Sequence, residues 1–202
     1  MKRLSGRNLL CAISVFSVSL WCPARQEERT TRVWIKREEV MNIKLNVPDV
    51  EVTDQNGKKL RLYQDLVKDK LVVIGTFFTR CNYVCAGVGR NFAGLQKKLG
   101  DRLGKDVNLI LLTRDPKVDS PERLRQWGRK YGARSGWTLL TADEATMRKL
   151  IAFFATDLLG PADNHSDRIF IGNESAGAWI VTAGLSPPEQ LIKFIDELPS
   201  RP

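Results

Sequence analysis

The chain has 202 residues, 43% of them hydrophobic and 27% charged, with a formal net charge of +9. That length suits one domain plus a leader, and a core of this size needs no disulfides, which excludes a cross-linked mini-domain. The composition is that of a globular protein rather than a disordered or fibrous one.

The first ten residues, MKRLSGRNLL, carry Lys2, Arg3 and Arg7 and no acid. LLCAISVFSVSLW (9–21) then gives an uncharged apolar stretch too short to span a bilayer comfortably, but suited to the core of a secretory signal. Cys22 and Ala24 place small residues three and one before a cut after Ala24, so residues 1–24 read as a signal peptide. Two other readings stay open: an uncut N-terminal membrane anchor through residues 9–21, or lipidation of Cys22, which Trp21 disfavours. Cleavage would remove Cys11 and Cys22 together with three positive charges, leaving a mature chain with Cys81 and Cys85 alone. The expected location is exported and periplasmic.

Residues 25–42 are charge-dense and aperiodic, a linker, and the domain is expected over 43–202. VEVTDQNGKKLRLYQDL alternates apolar and polar residues around Asn56-Gly57, the signature of a β-hairpin. LVVIGTFF (71–78) is a continuous β-rich apolar run, hence a buried central strand. Val84, Val88, Phe92, Leu95 and Leu99 recur at helical spacing, and VNLILLT (107–113) is a second buried strand, which makes residues 71–113 a βαβ unit. Ser120-Pro121 reads as a capped helix start, and Thr141–Glu144 and Ser186–Glu189 read as capping boxes. A short strand falls at 138–140, and RIFIG (168–172) and AWIVT (178–182) form a second hairpin around NESAG. The order is hairpin, βαβ, helix, strand, helix, hairpin, helix.

Cys81 and Cys85 lie where the first strand of the βαβ unit ends and its helix begins. Residues i and i+4 share a helix face, so both sulfurs can point to one place, and a helix N-terminus stabilises a thiolate. Three readings compete: a structural disulfide, a redox pair, or two soft metal ligands. The loop is too short for cross-linking to stabilise the fold much by entropy, which weakens the first. His165, the single histidine, sits in the polar segment PADNHSDRIF before a predicted core strand. Taken alone it reads as a surface residue. It comes near the cysteines only if that strand runs antiparallel to LVVIGTFF, as it does in a thioredoxin-like sheet.

The segments LVVIGTFFTRCNYVCAGVGRNFAGLQKKLG, LILLTRDPKVDSPERLRQW and NHSDRIFIGNESAG resemble the SCO/SenC family, over roughly residues 45–198. The resemblance implies an α/β, thioredoxin-like fold, with a central mixed sheet flanked by helices and the N-terminal hairpin added. It further implies copper held by Cys81, Cys85 and His165, and delivery to the copper-site subunit of a respiratory oxidase, with a thiol reductant as second partner. Asp115 matches the acid of the family's Asp-Pro segment, beside the ligands; its plain alternative is a loop acid near a helix start. Asn82 and Ala86 stand where many members have proline, and Arg114 replaces a hydrophobic residue before the acid.

Ligand chemistry agrees with copper. Two sulfurs and an imidazole suit trigonal Cu(I), with Cu(II) left open, whereas structural zinc takes four ligands that the mature chain does not offer. The alternative function, from another class, is a thiol–disulfide oxidoreductase that keeps partner cysteines reduced. A two-residue gap between the cysteines, expected of an ordinary thioredoxin, is missing, as is the Thr or Ser that a peroxiredoxin places three residues before its cysteine, where Phe78 and Asn82 stand here. No nucleic-acid partner is expected: Arg123, Arg125, Arg129, Lys130 and Arg134 read as a solvated helix face.

Overall fold

The computed structural model describes residues 45–154 and 168–199. The leader, the linker with its end at residue 42, and His165 lie outside the described residues.

The N-terminal hairpin forms where the sequence puts it, β1 (Glu51–Asp54) pairing antiparallel with β2 (Lys59–Arg61). The Asp54 carboxylate accepts the backbone N–H groups of Asn56 and Lys58, both at 2.8 Å, and Gly57 takes the positive φ of 83° that the turn requires. The alternation beyond Arg61 does not continue as a strand. Leu62–Val67 winds into one wide helical turn, with Lys68 N–H donating to Tyr63 O at 2.8 Å. Leu62 and Val67 are both fully buried; an extended chain would point residues five apart to opposite faces, whereas the turn buries both.

The βαβ unit comprises β3 (Leu71–Phe77), α1 (Val84–Leu99) and β4 (Val107–Thr113), its strands parallel from Leu71↔Val107 to Phe77↔Thr113. Then come α2 (Pro121–Lys130), β5 (Trp137–Thr141), α3 (Glu144–Phe154), β6 (Arg168–Asn173), β7 (Ala178–Ala183) and α4 (Pro188–Glu197). The seven strands form one sheet in the order β2-β1-β5-β4-β3-β6-β7, with β3, β4 and β5 parallel and the remaining pairings antiparallel. This is the mixed, helix-flanked sheet of a thioredoxin-like domain.

Successive strand residues feed two separate apolar layers, as the period of two demands. Val73, Leu109, Leu111 and Ile171 share one layer with Phe92 of α1, Leu124 of α2 and Leu191 of α4. Val72, Ile74, Ile110 and Phe170 share the other with Leu150 of α3 and Leu62 of the wide turn. The apolar face of α1 begins at Cys85 rather than Val84: Cys85 is 1% exposed, while Val84 is only half-buried. Between β6 and β7, Gly172 faces Trp179, and a Cβ there would come within 2.3 Å of the indole ring.

Ser120 caps α2 as expected, accepting from Arg123 N–H at 3.4 Å. The two capping boxes are corrected. Asp143, not Thr141, caps α3, its carboxylate accepting Thr146 N–H at 3.0 Å, while Thr141 ends β5 with a buried hydroxyl that has no hydrogen-bond partner. Ser186 is buried against Thr182, their hydroxyls 2.7 Å apart, and α4 starts at Pro188 without a side-chain cap. At α3 the Asp143 carboxylate takes the cap, and before α4 Thr182 holds the Ser186 hydroxyl. Of the five basic residues read as one solvated helix face, Arg123, Arg129 and Lys130 are exposed on α2, Arg125 is half-buried, and Arg134 is exposed but lies past the end of the helix.

Candidate metal centre

After β3 the chain makes a turn over Phe78–Cys81, closed by Cys81 N–H donating to Phe78 O at 3.2 Å. Helix α1 then begins at Val84 behind Tyr83, which supplies no side-chain cap. The unpaired first N–H groups of a helix need an acceptor, and here the Cys81 sulfur serves: Cys85 N–H points at Cys81 Sγ at 3.5 Å. Cys81 is half-buried and Cys85 is buried in the apolar layer, in the first turn of the helix; the two are not joined in a disulfide. Tyr83, between them, is 88% exposed.

Burial on its own would raise the pKa of the Cys81 thiol. The Cys85 N–H, the Cys85 thiol and the N–H groups of Tyr83 and Val84 outweigh it, and the thiol is held below its ordinary value. The helix start thus favours a thiolate at Cys81.

Asp115 lies in the loop after β4. Its carboxylate receives Arg80 at 2.6 Å, an ion pair one residue ahead of Cys81, and its carbonyl accepts Val118 and Asp119 N–H. Among the described residues no three of His, Cys, Asp and Glu gather into a metal-holding group, so Asp115 does not join the two sulfurs as a third ligand there. Strand β6 runs antiparallel to β3, Leu71 opposite Asn173 and Ile74 opposite Phe170. The chain therefore enters β6, at Arg168, on the sheet edge where β3 ends and the cysteine loop begins.

Sequence reasoning missed Thr79 and Asp119. Asp119 is fully buried; it accepts Thr79 N–H at 3.1 Å, Thr79 O–H at 2.5 Å and Thr113 O–H at 2.5 Å. In the sequence Asp119 is one more acid before Ser120-Pro121, and no local pattern reveals that residues from two other segments close over it.

A dithiol at the carboxyl edge of a parallel strand pair, on a thioredoxin-like sheet, defines a thioredoxin-fold thiol protein. Residues 44–198 match the SCO1/SenC family model, and the chain belongs to that family. Among solved structures it is similar to a SCO1/SenC family lipoprotein from Bacillus anthracis, at 24% identity and a TM-score of 0.62, over 81% of this chain and 98% of that one. It is also similar to BsSco, a member of the Sco family of cytochrome c oxidase assembly proteins in which a disulfide switch has been identified, at 22% identity and 0.62, over 80% and 95%. Bradyrhizobium japonicum ScoI, solved with copper bound, is similar at 21% and 0.58, over 72% and 94%. A search of curated proteins gave no match.

Proposed function

We propose that this chain binds copper as cargo through Cys81, Cys85 and His165 and delivers it to the copper site of a respiratory oxidase. The observation that carries this reading is the Cys81 sulfur held at the start of α1 with Cys85 one turn behind it, two soft donors at one edge of the sheet. Family membership and the copper-bound relatives support it. His165 stands three residues before β6 in the sequence, and β6 begins at the edge where β3 ends, which supports the imidazole as third donor. Two thiolates and one nitrogen favour Cu(I). Asp115 acts beside the ligands by holding Arg80. Residues 1–24 direct export to the periplasm, as a cleaved signal or as an anchor; the intact mass of the exported protein distinguishes the two.

The lowered thiol pKa of Cys81 favours a second reading, in which the pair exchanges disulfides with a partner and keeps its cysteines reduced. Titration of the reduced protein with Cu(I) against a competing chelator separates the two. The copper reading expects one ion per chain, near loss of tight binding in Cys81→Ser and Cys85→Ser, and weakened retention in His165→Ala with disulfide formation intact. A His165→Ala protein that holds Cu(I) like the parent would refute the ligand assignment and favour the exchange reading.

A further inference from the structure

Two residues make up the centre of the turn that delivers Cys81, and both are gripped by the loop after β4. Arg80 is held by Asp115 at the surface, where the guanidinium side chain is 59% exposed and the pair is screened by solvent. Thr79 is held from the inside. Its N–H and its hydroxyl both donate to the carboxylate of Asp119, which is fully buried, takes a third bond from Thr113 and has no ion pair among the described residues. Thr113 also accepts Asp115 N–H at 3.0 Å, so the loop after β4 is itself fastened to the end of its strand. A buried carboxylate is costly unless several donors satisfy it, and the three donors here come from two different segments. Thr79 is joined directly to Arg80, the residue that precedes Cys81, so this set fastens the turn two residues before the sulfur.

We propose that Asp119 is a positioning residue: through Thr79 it fixes the turn before Cys81 and so keeps the Cys81 sulfur at the start of α1. The inference rests on Cys81 and Cys85 being the working pair. Asp119 touches neither sulfur and acts through the backbone of residues 78–81. With the turn loosened, the Cys81 sulfur leaves the helix N–H groups part of the time, which changes both its partnership with Cys85 and its readiness to receive a soft ion.

The test uses the full chain carrying Thr79→Val, which removes the hydroxyl and keeps the shape, Thr79→Ser, which restores it, and Asp119→Ala. Val52→Ala, at a fully buried position of β1 on the other side of β5 and β4, supplies a comparable loss of stability away from the site. Two quantities are read: the thiol–disulfide equilibrium of the pair against glutathione, and Cu(I) retention against a chelator. Thr79→Val and Asp119→Ala should shift the glutathione equilibrium by about threefold or more. Both should weaken Cu(I) retention by about tenfold, in the range seen when partners of a ligand are removed. Thr79→Ser should match the parent, and Val52→Ala should lower the melting temperature while changing neither quantity. If Asp119→Ala does not fold, Thr79→Val carries the test alone. A Thr79→Val protein with the parent's glutathione equilibrium overturns the positioning role, as does an equal shift in Val52→Ala. Failure of the copper reading shows separately, as undiminished Cu(I) binding in Cys81→Ser, and leaves the glutathione measurement decisive for Asp119.

Discussion

Serine in place of Cys85 should cost the fold far more than serine in place of Cys81, although each should cost copper binding alike. Cys85 is 1% exposed inside the layer that holds Phe77, Val88 and Phe92, so Cys85→Ser puts a hydroxyl where an adaptable, weakly polar sulfur was. Burying a hydroxyl costs about 1–3 kcal/mol in protein interiors, and the neighbouring Cys81 offers it one partner, which points to the lower half, about 1–2 kcal/mol. For a domain of this size that is a fall in melting temperature of about 2–8 °C. Cys81 is different: it is half-buried, and its sulfur already takes the Cys85 N–H at 3.5 Å as a cap would. Serine is a preferred cap, so Cys81→Ser should stay within about 0.5 kcal/mol of the parent or gain slightly. The assay is denaturant unfolding of the reduced, metal-free proteins, with reductant present throughout so that no disulfide enters the comparison. A Cys81→Ser protein destabilised as much as Cys85→Ser would refute both the buried assignment of Cys85 and the capping role of the Cys81 sulfur.

Because the folded-state pKa of Cys81 is depressed, the reduced protein should gain stability as pH rises past the ordinary thiol range and lose that gain as pH falls through the folded value; alkylation of Cys81 should begin at lower pH than in a Cys-containing peptide, and unfolding curves of the parent and Cys81→Ser across pH test the linkage. Asp143→Ala should lower the melting temperature by removing the cap of α3, whereas Thr141→Val, which replaces a buried hydroxyl lacking a partner, should leave stability unchanged or raise it by up to about 1 kcal/mol; the reverse order would restore Thr141 as the cap. Gly172→Ala should destabilise by about 1–3 kcal/mol and shift tryptophan fluorescence, because the added Cβ drives into Trp179; an unperturbed spectrum would contradict that packing.

The strands were legible wherever the code was local. LVVIGTF and VNLILLT are unbroken apolar runs because both faces of β3 and β4 are covered, and the Asn56-Gly57 turn announced its own hairpin. The face of α1 was legible but displaced by one residue: counting back from Phe92 by four and three gives Val88 and Cys85, and treating cysteine as the apolar residue it is when buried would have found it. Thr141 and Ser186 misled because a hydroxyl three residues before Glu looks the same whether it caps a helix or ends a strand; only Thr182, across the turn from Ser186, decides. Leu62–Val67 misled because alternation over a few residues cannot tell a strand from one wide turn. Of the site, the cysteine spacing stood out at once, whereas Asp119 was hidden. Its meaning depends on Thr79, forty residues earlier, and nothing within reach of a local pattern marks it.

The antiparallel seat of β6 also has a consequence expected for how this protein assembles. On one side β3 pairs with β4 across a single crossover, but its partners on the other side lie roughly a hundred residues later in the chain. Pairings at such separation are slow to close. Until β6 and β7 arrive, β3 is the open border of a half-built sheet, its N–H and C=O groups bare on one side and two thiols waiting at its end. In an oxidising compartment such an intermediate faces two hazards together, edge-to-edge association and cross-linking between chains. The yield of native protein should therefore depend on how long the border stays open, and a reductant present during refolding protects the chain at the stage when it is most exposed.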